Sequence, residues 1–209
     1  RAALSIAHAR FRLDLLQEAE KWAMKACELG QQAGDIVAVV LALGLIGNIA
    51  AYQGKLKRAV EMYQKANELA GQMASWFGSY DVLCIVQYIL NDLEEVAENA
   101  RLAFESAELS GQMEPAMVAS YYQAQVCLAR GDVAGAAAAM DRMDRASRHP
   151  SIDSFWFADY IASRVMYAIR QNNLEEAARW GAQLPDLAGM MLMDRHVPAR
   201  LLLAQGKRE

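Results

Sequence analysis

The chain has 209 residues, 55% of them hydrophobic, with four prolines and a formal net charge of -4. This balance favours helix and argues against a nucleic-acid surface, which needs clustered positive charge. Cys27, Cys84 and Cys127 are far apart and form no CxxC pair. With no N-x-S/T site and no signal-peptide pattern, the expected compartment is the reducing cytoplasm.

Along the chain the pattern predicts a first helix over 2–12, a turn at Asp14 and a second helix over 16–32 returning beside it. The next hairpin spans 36–52 and 56–72 about Gly54. Its first half, IVAVVLALGLIGNIAAY, falls short of the roughly 20 apolar residues a membrane span needs and carries Asn48. It reads as a helix sandwiched between neighbours and therefore apolar nearly all round. Then come 76–90 and 93–110 about Asn91, 116–129 and 134–147 about Gly131, 155–170 and 174–184 about Asn172, and a last helix over 198–205 before Gly206. Pro115 suits a helix start, and Pro185 ends one. Between Asp141 and Arg148 acidic and basic residues interleave, the pattern of a solvated mixed-charge face. Phe155, Trp156 and Phe157, with Met190, Met191 and Met193, are expected in the core between units. The chain opens inside a helix at Arg1 and stops after the Gly206 turn, as a segment of a longer protein would.

The same segment recurs at a fixed interval. KACELGQQ begins at Lys25, KANELAGQ at Lys65 and ESAELSGQ at Glu105, so Glu28, Glu68 and Glu108 recur every 40 residues. The turn residues Asp14, Gly54, Asn91, Gly131, Asn172 and Gly206 are spaced by 40, 37, 40, 41 and 34. Two residues after each turn stands an aliphatic anchor (Leu16, Leu56, Leu93, Val133, Leu174). Five after it stands Ala19, Ala59, Val96, Ala136 or Ala177, where the paired helices approach closest. Such a period means stacked supersecondary units. It predicts an all-α, tetratricopeptide-like α-solenoid of about five and a half helix-turn-helix repeats in a right-handed superhelix. The expected array is single, 1–209, with units near 1–35, 36–75, 76–115, 116–153 and 154–190 and a partial one over 191–209.

Catalysis finds little support. His8, His149 and His196 lie in different units with no metal-ligand spacing, no serine or cysteine is read as having a His and an acid partner together nearby, and Asp81 and Asp159 are two units apart, where solvated or capping roles are expected. No metal and no cofactor are expected in this segment. Binding fares better. In tetratricopeptide-like stacking the first helices line the concave face. Positions ten, six and three before each turn then form one stripe, because i, i+4 and i+7 share a helical face. Its middle holds Asn48, Asp81, Tyr88, Tyr121 and Gln125. Amide, carboxylate and hydroxyl groups among aromatic rings suit an uncharged, polyhydroxylated small ligand.

The units GNIAAYQGKLKRAVEMYQKANELA (47–70), YILNDLEEVAENARLAFESAEL (88–109), AQVCLARGDVAGAAAAMDRM (124–143), EEAARWGAQL (175–184) and PARLLLAQGK (198–207) resemble successive repeats of one family. It is that of the large ATP-dependent, MalT-like LuxR-type transcriptional regulators. The most telling features are Asn91-Asp92-Leu93 after a tyrosine-containing helix and Ala129-Arg130-Gly131-Asp132 one repeat later. The resemblance implies a bacterial parent with an N-terminal ATPase, a central superhelix and a C-terminal DNA-binding domain, of which this chain would be most of the centre. It further implies sensing of a small-molecule inducer or a regulatory protein, and self-association. The chain itself has no GxxxxGK[ST] loop for phosphates. The alternative is a general peptide-binding scaffold, but scaffolds that grip a C-terminal carboxylate place lysines along the stripe, and this one has none.

Overall fold

A computed structural model describes residues 1–72, 79–186 and 194–206, less the side chains of Gln72 and Phe155. Among these residues there are eleven α-helices and no strand. They are α1 (Ala2–Arg12), α2 (Leu16–Ala33), α3 (Ile36–Tyr52), α4 (Leu56–Gln72), α5 (Tyr80–Ile89), α6 (Leu93–Ser110), α7 (Glu114–Ala129), α8 (Val133–Ala146), α9 (Ser154–Arg170), α10 (Leu174–Gly181) and α11 (Val197–Ala204). The architecture is an all-α, tetratricopeptide-like stack of hairpins. The chain forms two compact units, Arg1–Tyr122 and Gln123–Glu209, with the boundary inside α7.

The turns explain why each hairpin closes where it does. All six turn residues have positive φ: Asp14 58°, Gly54 73°, Asn91 62°, Gly131 75°, Asn172 57° and Gly206 73°. This left-handed conformation suits glycine and is tolerated by Asn and Asp. It lets the next amide reach back to the carbonyl five residues earlier, as Lys55 N does to Ala50 O (2.8 Å) and Asp132 N to Cys127 O (2.8 Å). Helix-end carbonyls are thereby satisfied. In three hairpins the same residue then caps the second helix: the side chains of Asp92, Asp132 and Asn173 accept from the amides of Glu95, Gly135 and Glu176. One αL residue followed by one N-cap residue thus stops one helix and starts the next.

In the first unit, α1 to α6 pack against their chain neighbours in order. The apolar α3 is buried as expected, with Val39, Val40, Leu45, Ile46 and Ile49 inside. Among the described residues, no helix is long and apolar enough to cross a membrane. Ala19, Ala59, Val96, Ala136 and Ala177 are all fully buried. In the second unit α10 and α11 both pack on α9.

Several expectations need correction. Val133, β-branched and one methylene shorter than leucine, does not anchor its turn and is 62% exposed. Helix α10 ends at Gly181 rather than 184, because Gln183 and Leu184 bond back to Trp180 and Gly181 in tighter turns ahead of Pro185. Pro198, by contrast, sits in the first turn of α11, as the expected start near 198 requires, a position that needs no amide donor. The stretch 141–148 is not simply solvated. Asp144 accepts from the Tyr160 hydroxyl (3.0 Å), and Arg142 donates to the side-chain Oε1 of Gln123 (2.6 Å). Phe157 is 46% exposed rather than core, stacked obliquely on Tyr160. Met190, Met191, Met193 and the Phe155 side chain lie outside the described residues, as do 76–78 of the expected third first helix.

Candidate functional site

Asn48, Asp81, Tyr88 and Tyr121 belong to the first unit and Gln125 to the second. Asn48 sits mid-way along α3, where Gly47 lets α3 approach the ring of Tyr63 on α4. A methyl group at residue 47 would stand 2.5 Å from Tyr63 Cε1, well inside contact distance. The fully buried Tyr63 therefore lies across the backbone of α3 and donates its hydroxyl proton to Asn48 Oδ1 (2.7 Å). The partner of Asn48 is thus a residue of the second helix, which a stripe drawn on first helices alone does not contain.

Asp81 lies half-buried in the first turn of α5. Burial pushes its carboxyl up to about 6, against hydrogen bonds from the amides of Val82 and of Asp81 itself, which favour the anion. The nearby Glu114 adds a smaller upward push. The field of Asp81 reaches Tyr63 and Cys84. Both are raised first by their own burial and then by this carboxylate. Asn48 is thus bonded to Tyr63, and Asp81 lies near enough for its charge to act on the same phenol.

Tyr88 and Tyr121 meet through a third ring. Tyr122 stands edge-on to Tyr88 (centroids 5.4 Å apart) and edge-on to Tyr121 (5.0 Å), the geometry that the charge distribution of aromatic rings prefers. Tyr122 has no place in the ten-six-three register, and the adjacent Tyr121-Tyr122 pair was its signal in the sequence. Gln125 is fully buried, and among the described residues neither its Nε2 nor its Oε1 has a hydrogen-bond partner.

The second unit holds a charged cluster that no sequence pattern pointed to. Arg164 on α9 reaches Asp144 of α8 (3.4 Å) and Glu176 of α10 (3.2 Å). Its guanidinium also lies 5.0 Å from the ring centroid of Trp180, whose Nε1 donates to the same Glu176. A half-buried arginine shared by three helices is a fastening, its charge matched on two sides. Asp159, on α9, is half-buried and near enough to Asp194 to add to the upward push that burial gives that carboxyl.

Among the described residues no group of three His, Cys, Asp or Glu side chains could hold a metal ion. The first unit holds the Asn48 carboxamide on Tyr63 and the edge-on rings of Tyr88, Tyr122 and Tyr121, groups that suit hydrogen bonding and stacking. A family model for the MalT-like TPR region matches residues 1–209. The chain belongs to this family. Among curated proteins, none matches it. As a MalT-like TPR region the chain is a helical-repeat module of the regulatory and protein-interaction kind, a type that is generally non-catalytic.

Proposed function

We propose that this MalT-like TPR region is the effector-sensing and interaction module of a LuxR-family transcriptional regulator whose ATPase and DNA-binding domains lie elsewhere in the parent. The effector is a small uncharged ligand or a regulatory protein, taken by the first-helix face. The same module supports self-association in the bacterial cytoplasm. The observation that carries the reading is the pairing of a full-length family match with a polar and aromatic set, Asn48, Asp81, Tyr88 and Tyr121, on the first helices of one compact unit. Asn48 has a carboxamide nitrogen to donate while its oxygen is held by Tyr63. Tyr88 and Tyr121 provide ring surface of the kind on which the apolar faces of sugars and polyols stack, and the Tyr121 hydroxyl adds a hydrogen-bonding group for the ligand. Leu202 and Leu203, 48% and 65% exposed on α11, offer apolar surface for association.

The test is calorimetric titration of a panel of neutral sugars and polyols into the wild-type chain, Asn48→Ala, Tyr121→Phe and a control at the exposed Glu61→Ala. Losing one hydrogen bond in a binding site costs about tenfold in affinity. A hit that weakens tenfold in the first two variants and is unchanged in the control is expected. Weakening in the control alone would move the site to the opposite face. The absence of any hit would leave a regulatory protein as the effector.

A further inference from the structure

The first hairpin has an uncovered apolar face. Counted from the turn at Asp14, Ala2, Ile6 and Ala9 stand twelve, eight and five residues before it, on one side of α1, and Trp22 stands eight residues after it on α2. All four are exposed, Trp22 by 37%. The same positions about the turn at Gly54 are Ala42, Ile46, Ile49 and Met62, and there the three on α3 are buried. Ile46 and Ile49 form one cluster with Ala7, Ala19 and Ala23, with Met62 packed against it, while Ala42 packs with Ala3 and Ala26. A ridge of α3 thus sits in a groove walled by the alanines of α1 and α2, whose small side chains let the helices come close.

We propose, on the reading of the chain as one module of a longer regulator, that the outer face of α1 and α2 is a docking surface for a further helical hairpin of the parent polypeptide. That hairpin offers a small-residue groove like the one that seats α3, and the joint continues the interface of α2 with α3 by one repeat. Ile6 takes the place of Ile46 and Trp22 that of Met62, so the occupant carries Ala or Gly where α2 has Ala19, Ala23 and Ala26. Tryptophan is among the side chains that most often dominate such contacts. Arg10 with Glu18 and Lys25 with Glu28 pair along the hairpin, so its nearby charges are matched and do not select a strongly charged partner. A second copy of the chain does not supply the groove from these alanines: Ala3, Ala7, Ala19, Ala23 and Ala26 are taken by α3. In the second unit, Ala162 is likewise taken by Val197 of α11.

Amide hydrogen exchange over 2–12, compared between the parent polypeptide and the 209-residue chain, tests this. Exchange slower in the parent by about tenfold or more is expected, because a docked α1 opens less often. Ile6→Glu is expected to remove that difference and to leave exchange in α5 and α6 unchanged. Equal exchange in parent and chain would overturn the docking surface, while the sensing of a small ligand, measured by calorimetry, would stand. A fusion in which residues 1–41 run directly into Ala2 is the second measurement, since it sets a copy of the alanine groove in register on α1. The added hairpin is expected to melt together with the rest of the chain, and to melt separately at lower temperature when the original Ile6 is changed to Glu. An added hairpin that stays unprotected, or that docks equally well on the Ile6→Glu chain, would also overturn the proposal. So would dimers of the unfused chain that protect α1, which would give this face to a second copy.

Discussion

Tyr63 shows how one side chain sets the size of its neighbours. Nine residues after the turn, the other hairpins carry Ala23, Ala100, Met140 and Gly181. Seven before the turn, the facing positions are Ala7, Cys84, Ala124 and Val165, and only the hairpin with Tyr63 has glycine there. Gly47→Ala is expected to force the ring or the helices apart and to cost about 1–3 kcal/mol, the usual range for overpacking. Tyr63→Phe keeps the shape and loses the bond to Asn48, so its expected cost is about 1 kcal/mol. Urea denaturation of both variants checks the order; a milder effect for the glycine change would mean that α3 and α4 have slack between them. Asp81 carries a pH signature of its own. Its folded value, about 6, lies above the ordinary aspartate value of 3.8, so its contribution to stability is fully present below the ordinary value and is lost as pH rises through 6. Asp81→Asn is expected to flatten stability between pH 4 and 7 in denaturation curves. An unchanged slope would place the titrating group elsewhere.

At the level of elements, the turns were the most legible part of the sequence because few residues can occupy them. Positive φ admits Gly, Asn or Asp, so Asp14, Gly54, Asn91, Gly131, Asn172 and Gly206 marked the hairpins without knowledge of any long-range contact. Gly131→Ala and Asn91→Ala are each expected to cost roughly 1–2 kcal/mol in thermal melts, the penalty for left-handed backbone. Asp132→Ala is expected to cost about 1 kcal/mol through loss of its cap on α8. Were Gly131→Ala neutral, the turn would have an alternative geometry open to it. Helix pairing was legible for the same local reason, since Ala59 and Ala136 recur in phase with the turns. Partnerships between long side chains were not. The bond of Tyr63 to Asn48 and the fastening of Arg164 to Asp144 and Glu176 join residues 12 to 20 positions apart, outside the repeat register. A periodic pattern reports what every unit shares, and these contacts occur once each. Val133 failed as an anchor for the converse reason: it kept the register but lacked the reach of leucine.

For the molecule as a whole, charge decides what it can meet. The net charge is -4, and several basic side chains of the first unit stand beside acidic partners. Arg10 pairs with Glu18, Lys25 with Glu28, Arg58 with Glu20, and Arg101 with both Glu98 and Glu105. Exposed pairs of this kind add little to stability, but they cancel the local positive field that a phosphate backbone would need. Binding to duplex DNA is driven by release of counterions as Lys and Arg neutralise phosphates, and it weakens steeply with salt. This chain is therefore expected to show no salt-dependent affinity for DNA. Fluorescence anisotropy with a labelled duplex at 50 and 200 mM salt, in the range of about 10⁻⁶–10⁻⁴ M where non-specific binding occurs, provides the measurement. Saturable binding at low salt that disappears at the higher concentration would mean that Arg142, Arg145 and Arg148 of α8 and its following turn present a usable positive edge despite Asp141 and Asp144 between them.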